Sequence, residues 1–212
     1  MDPISIIEGK VSDLPRDDVD TDQIIPARFM KRVERTGFGE FLFADAKESP
    51  NWTTEIGNPI LCSGANFGSG SSREHAPWAL EDAGFRAIIA TSLADIFASN
   101  CTKVGLLPIE LPEDQVRRIA VAGNARIELD AQTVTIGEGD AREVFSFEIN
   151  PETKHRLLNG LDDIGLTLGD EGAITAYEER RAASPFPGPS SLDLPPEGDG
   201  AVAGTLSSTP VA

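Results

Sequence analysis

The chain has 212 residues, with 18 Lys and Arg against 35 Asp and Glu, a formal charge of −17, and only two Cys (Cys62, Cys101) and two His (His75, His155). Soft ligands this sparse, with no C-x-x-C or H-x-x-x-H spacing, exclude a self-contained iron–sulfur protein and leave a Cys2His2 zinc site without its usual pairing, so no metal ligands are expected. The acidity disfavours nucleic acid and anionic membranes, because both are bound through clustered Lys and Arg.

No run of about 18 apolar residues occurs, the opening Met-Asp-Pro-Ile-Ser has no basic and apolar targeting segment, and two cysteines make no disulfide framework, so a soluble, cytoplasmic, reduced protein is expected.

Elements alternate along the chain. Ile4 to Val11 reads as a strand, Asp17 to Pro26 as an acidic loop closed by a proline, and Ala27 to Arg35 as a short helix. Pro59 to Cys62 is a short apolar strand running into Gly64-Ala-Asn-Phe-Gly-Ser-Gly-Ser-Ser-Arg-Glu-His75, after which a helix is expected to about Ala83 with Gly84 as its stop. Phe85 to Ala90 suits a strand buried on both faces, Leu93 to Lys103 a helix ended by Gly105, Leu106 to Leu111 a strand, and Asp114 to Ala122 a helix. Three strands follow, Ala125 to Leu129, Gln132 to Ile136 and Glu143 to Ile149, then helices near Pro151 to Asn159 and Asp170 to Arg181. The fold class is therefore α/β. From Ser184 to Ala212 there are six Pro, four Gly and no Lys or Arg, and no apolar periodicity. Such a segment buries too little to offset its chain entropy, so residues 1–183 are expected as one domain and 184–212 as a disordered tail. The body alone keeps 18 basic against 32 acidic side chains, a charge of −14.

The sharpest signal is the turn from Gly64 to His75. Its glycines allow positive φ and close approach of backbone to a ligand, and it feeds a helix N-terminus. Ser71 and Glu74 stand at the S-x-x-E spacing of a capping box, although Pro77 argues for a helix that starts a residue or two later than Ser72. Walker A chemistry is excluded, because there is no Gly-Lys-Ser/Thr end and no lysine between Lys47 and Lys103; a G-x-S-x-G elbow is also absent. Two hydroxyls, Ser71 and Ser72, and one guanidinium, Arg73, remain. Arg grips a carboxylate with two parallel hydrogen bonds, so a small acidic ligand fits the set better than a nucleotide; a tight β–α connection with no ligand is the alternative.

Four segments in order, Asp20-Thr-Asp-Gln-Ile-Ile-Pro26, Asn66 to Leu80, Ala94-Asp-Ile-Phe97 and Asn159 to Leu168, resemble the small-subunit family of bacterial 3-isopropylmalate dehydratase, the swivelling-domain half of the aconitase superfamily. The resemblance runs from about Ile4 to Arg181 and leaves the tail without a counterpart. It implies a single swivelling β/β/α domain, aconitase C-terminal-like, and a hydro-lyase that isomerises 2-isopropylmalate to 3-isopropylmalate in leucine biosynthesis. A [4Fe-4S] cluster is then expected on a partner large subunit, in a heterodimer or higher assembly, and none on this chain. Carried over by motif, Ser71 is the proton-abstracting base, Arg73 supports catalysis, and Ser72, Thr21 and Asp22 bind a dicarboxylate substrate. A serine alkoxide needs a cation, backbone N–H groups and little water around it, and the sequence sets Arg73 and a helix N-terminus beside Ser71.

The segment Ala27 to Val33 resembles the family's specificity loop. Phe29 and Met30 would line an apolar pocket for an isopropyl group, or Lys31 or Arg32 would meet a third carboxylate; an amphipathic helix facing the core is the plain alternative. Aconitases carry an Arg shortly before their Thr-Asp, where this chain has Asp17-Asp18-Val19, which argues against citrate. Citraconate or 2-methylmalate, homoaconitate, or a non-catalytic carboxylate-binding role are the competing readings. His75 reads as a structural, hydrogen-bonded residue rather than an acid or base, and Trp78 and Phe85 as core.

Overall fold

A computed structural model describes residues 1–31, 35–169 and 171–182. Arg32, Val33 and the expected tail lie outside the described residues. Contacts divide the chain into a body, Met1–Thr167, and a second unit from Leu168 onward.

In chain order the body begins with β1 (Ile6–Leu14), a short helix α1 (Thr21–Ile24) and α2 (Ala44–Lys47). Then come β2 (Ile60–Ser63), α3 (His75–Asp82), β3 (Ala87–Ala90), α4 (Asp95–Val104), β4 (Leu107–Glu110) and α5 (Glu113–Ala122). A meander of β5 (Asn124–Glu128), β6 (Thr133–Ile136) and β7 (Glu143–Ser146) leads to α6 (Pro151–Asn159) and α7 (Asp163–Gly169). The second unit contains α8 (Glu171–Ala182), an exposed helix. None of the described helices is long and apolar enough to cross a membrane.

The strands form one sheet of order β4-β3-β2-β1-β5-β6-β7. One half is parallel and the other antiparallel, and β1 is shared between them. Its first residues, Ile6 to Lys10, pair antiparallel with β5, and its last, Val11 to Leu14, pair parallel with β2. The strand reading from the sequence, Ile4 to Val11, is thus right in kind and shifted in bounds, since β1 begins at Ile6 and continues to Leu14.

The two faces of the parallel half read directly from side-chain alternation. Ile60 and Cys62 of β2, with Ala87 and Ile89 of β3, point into one core, completed by Val116 and Ile119 of α5. Leu61, Ile88 and Ala90 point into the other, completed by Leu80 of α3 and Phe97 of α4. Every residue of β2 and of β3 is buried, as expected for parallel strands covered on both sides.

Three local expectations are corrected. The acidic loop contains α1, capped by Asp20, whose Oδ1 accepts from the Gln23 amide at 2.7 Å. The helix expected from Ala27 is, among the described residues, only a 3-10 turn, Ala27–Phe29. Helix α3 begins at His75, with no side-chain cap at Glu74, so the Ser71–Glu74 capping box does not form. Pro77 accounts for this: a start at His75 places the proline in the first turn, where its missing N–H costs nothing.

Candidate functional site

The site is assembled where the acidic loop lies along the glycine turn. Gly64 N–H donates to the Arg16 carbonyl at 3.0 Å, Asp18 N–H to the Ala65 carbonyl at 2.9 Å, Gly68 N–H to the Val19 carbonyl at 2.8 Å and Thr21 N–H to the Ser69 carbonyl at 2.9 Å. Asp17 Oδ1 accepts from the Ala65 amide at 2.7 Å. A Cβ on Gly64 would stand 2.1 Å from Asp17 Oδ1, so only glycine lets the two segments meet this closely.

The turn is held from its other side by α4. Phe67 N–H donates to the Ser92 carbonyl and Ala94 N–H to the Phe67 carbonyl, at 3.1 and 3.0 Å, and the Phe67 and Phe97 rings meet edge to face at 5.4 Å. Gly68 has φ +78°, and a Cβ there would lie 2.1 Å from Phe97 Cγ. The Phe97 ring fills the space that any other side chain would claim.

Locked on both sides, the backbone presents Ser71, Ser72 and Arg73 at the mouth of a cavity of about 230 Å³, lined also by Thr21, Gly68, Gly70 and Ala94 to Phe97. Thr21 is buried and its Oγ1 donates to the Ser71 carbonyl at 3.0 Å, which fixes the peptide carrying the Ser71 side chain. Both serine side chains are exposed to the cavity. Because the capping box is absent, the Ser71 hydroxyl is not spent on the helix. Among the described residues no protein group accepts from the amides of Ser71, Ser72 or Arg73. Unpaired amides and a guanidinium on the same short turn favour negative charge in the cavity that the turn lines.

Arg73 makes a forked ion pair with Asp22 through Nη1 and Nη2, the second contact measuring 2.8 Å. The Arg73 side chain is 14% exposed and that of Asp22 56%. The guanidinium hydrogen bonds hold the Asp22 carboxyl below the usual carboxylate range. The carboxylate grip expected of Arg73 is therefore already exercised inside the chain.

Of the residues singled out in the sequence, Thr21, Ser71, Ser72 and Arg73 share one cavity, and Asp22 joins them through Arg73. Phe29 and Met30 are half-buried and do not figure among the described residues lining it. Phe29 stacks on Phe41 at 4.2 Å between centroids and packs against the second core. His75 lies between the rings of Phe38 and Trp78, at 5.2 and 4.8 Å, and burial lowers its pKa, which keeps it neutral near pH 7. Ring packing, rather than the expected hydrogen bonding, is what the structure gives it. Asp95 and Ile96 line the cavity without having been assigned a role from sequence; their signal was the Ala94 to Phe97 segment itself.

A larger groove of about 690 Å³ opens between α4 and the start of α6, with Ser99, Pro108 and His155 on its walls, and contains none of these residues. An iron–sulfur cluster does not fit the described residues. Cys62 and Cys101 are both buried, in different cores, and no three His, Cys, Asp or Glu converge.

Comparison with known proteins bears on the family of the chain and on its fold. Residues 47–114 match the aconitase C-terminal domain, and residues 163–185 match the C-terminal domain of the 3-isopropylmalate dehydratase small subunit. The chain is 48% identical over 189 residues to a 3-isopropylmalate dehydratase small subunit of Rubrobacter xylanophilus, covering 85% of this chain and 96% of the relative. It is 48% identical over 198 residues to that of Rhodopirellula baltica, covering 85% of this chain and all of the relative. A crystal structure of 3-isopropylmalate dehydratase from Methanocaldococcus jannaschii superposes with TM-score 0.62 at 27% identity, covering 82% of this chain and 99% of the other.

Proposed function

This chain belongs to the family of 3-isopropylmalate dehydratase small subunits, and on that premise we propose that it is the small subunit of a hydro-lyase of leucine biosynthesis that converts 2-isopropylmalate to 3-isopropylmalate by dehydration and rehydration. The observation that carries the reading is the convergence of Thr21, Ser71, Ser72 and Arg73 on one cavity, with Arg73 in a forked carboxylate contact.

In this reading Ser71 Oγ removes the proton from the carbon next to the carbinol carbon as the carbinol C–O bond breaks and its hydroxyl departs, so that one water is lost and a C=C bond forms. On rehydration the hydroxyl adds to the carbon that lost the proton and a proton goes to the former carbinol carbon. The unpaired amides of the turn and the Arg73 guanidinium oppose the cost of charge on Ser71, while Ser72 and Arg73 hold a substrate carboxylate. Thr21 and Asp22 act one step behind, through the Ser71 carbonyl and the Arg73 fork. Phe29 and Met30 belong to a neighbouring specificity segment.

The partner is a large subunit, which holds the [4Fe-4S] cluster for which this chain's described residues offer no ligand set. The working unit in this reading is residues 1–183, acting in the cytoplasm; the charge of −17 leaves nucleic acid and membrane outside its partners. The test is reconstitution. This chain alone is expected to show no isomerase activity, and mixing it with its cluster-loaded large subunit to restore turnover, with the absorbance of the unsaturated intermediate. Activity of the chain alone, or none from the pair, overturns the proposal.

A further inference from the structure

We propose that the first turn of α4, Asp95 with Ile96, selects the substrate by its side group, admitting a dicarboxylate that bears a small branched alkyl group and rejecting one that bears a third carboxylate. This rests on the reading of the Ser71 cavity as the catalytic one.

Ile96 is the large apolar side chain of the cavity that no core has claimed. It is 58% exposed, whereas its neighbour Phe97 is 2% exposed and belongs to the second core. An aliphatic side chain left open on a cavity lined also by glycines, hydroxyls, charges, Ala94 and the edge of the buried Phe97 gives an alkyl group a surface to dry. Its position is fixed, because Phe97 is wedged against Gly68 and the Ala94 amide is bound to Phe67. A wall that cannot retreat discriminates by size and polarity better than one on a mobile loop.

Asp95 supplies the other half of the selection. Its carboxylate is exposed on the same cavity and has no cationic partner among the described residues. Arg73, the cation of that cavity, is already paired with Asp22. The three together leave a net negative charge, so a third carboxylate, beyond the one that Ser72 and Arg73 hold, meets repulsion and finds no second guanidinium among the described residues lining the cavity. An isopropyl group in the same place meets Ile96 and loses nothing electrostatically.

The experiment uses the assembled pair and compares kcat/KM for 2-isopropylmalate, 2-methylmalate and homocitrate. In Ile96→Ala the preference for isopropyl over methyl is expected to fall about tenfold, in the range set by a few methylenes in an apolar pocket. In Asp95→Asn the ratio of homocitrate to 2-isopropylmalate is expected to rise about tenfold. Ile96→Val, which keeps branching, should fall between wild type and Ile96→Ala. Ratios left unchanged, with all three substrates slowed alike or assembly weakened, assign the turn to the interface with the partner and overturn the inference while the wild-type pair still turns over 2-isopropylmalate. A wild-type pair inactive on 2-isopropylmalate overturns the functional reading itself, and this inference with it.

Discussion

Arg73 leaves the glycine turn to hold both carboxylate oxygens of Asp22, a residue 51 positions earlier in the chain. The pair ties α1 to the loop that carries Ser71, and Arg73 lines the cavity beside Ser71 and Ser72. Asp22→Asn keeps the shape and removes the charge, and is expected to lower kcat/KM of the assembled enzyme about tenfold, chiefly through KM, since the guanidinium loses its charged anchor. Steady-state kinetics check this.

The same pair sets a pH dependence. The Asp22 pKa is lowered from 3.8 on folding, so below that value the unfolded chain binds the proton more readily, and stability rises with pH across this window. The contribution is full above 3.8 and is lost as pH falls through the lower folded value. Urea titrations of wild type and Asp22→Asn should therefore differ at pH 6 and converge as the pH drops below 3.8. A difference that persists at the acid end contradicts the assignment.

Ser71→Ala removes the proposed base and little else, because the Thr21 contact is to the Ser71 carbonyl and survives. Turnover should fall about 10²–10⁴-fold with assembly unchanged. Size-exclusion chromatography with the large subunit, beside kcat, separates a chemical loss from a failure to dock.

Gly68→Ala tests the wedge. The residue has φ +78° and no room before Phe97, so backbone strain and overpacking together should cost about 2–4 kcal/mol. A melting temperature lower by roughly 5–10 °C is expected for a body of this size. A thermal melt within about 1 °C of wild type would mean that the turn relaxes without α4.

Both thiols are buried and pushed up by desolvation, Cys62 to about 12 with a further push from Asp13. A thiol that neither ionises nor meets solvent does not alkylate. Native protein at pH 8 should leave both cysteines unmodified by iodoacetamide over hours, and denatured protein should lose both within minutes, as followed by mass spectrometry.

Much of this was legible because it is local. The alternation of β2, β3 and β4 with α3, α4 and α5 follows from short apolar β-branched runs, from helical periodicity and from Gly84 and Gly105 as left-handed stops. The glycine turn announced itself by composition, and Ser71, Ser72 and Arg73 by adjacency. The short helices were not legible: α1 and α2 have four residues each and too little periodicity to register. Nor was the start of α3, where the S-x-x-E spacing and Pro77 made opposite demands and the proline prevailed.

By itself the sequence determined which chemistry is present: an α/β body, two hydroxyls and a guanidinium on a turn that must approach other backbone closely, and thiols too few for a cluster. Only the tertiary structure decided with whom that chemistry is shared. Pairing Arg73 with Asp22, seating Thr21 against the Ser71 carbonyl and bringing Ile96 and Asp95 to the same cavity all depend on segments far apart in the chain meeting beyond the C-terminal ends of the adjacent parallel strands β1, β2 and β3. Such contacts are fixed by how the cores on the two faces of the parallel strands pack, and no local spacing encodes them.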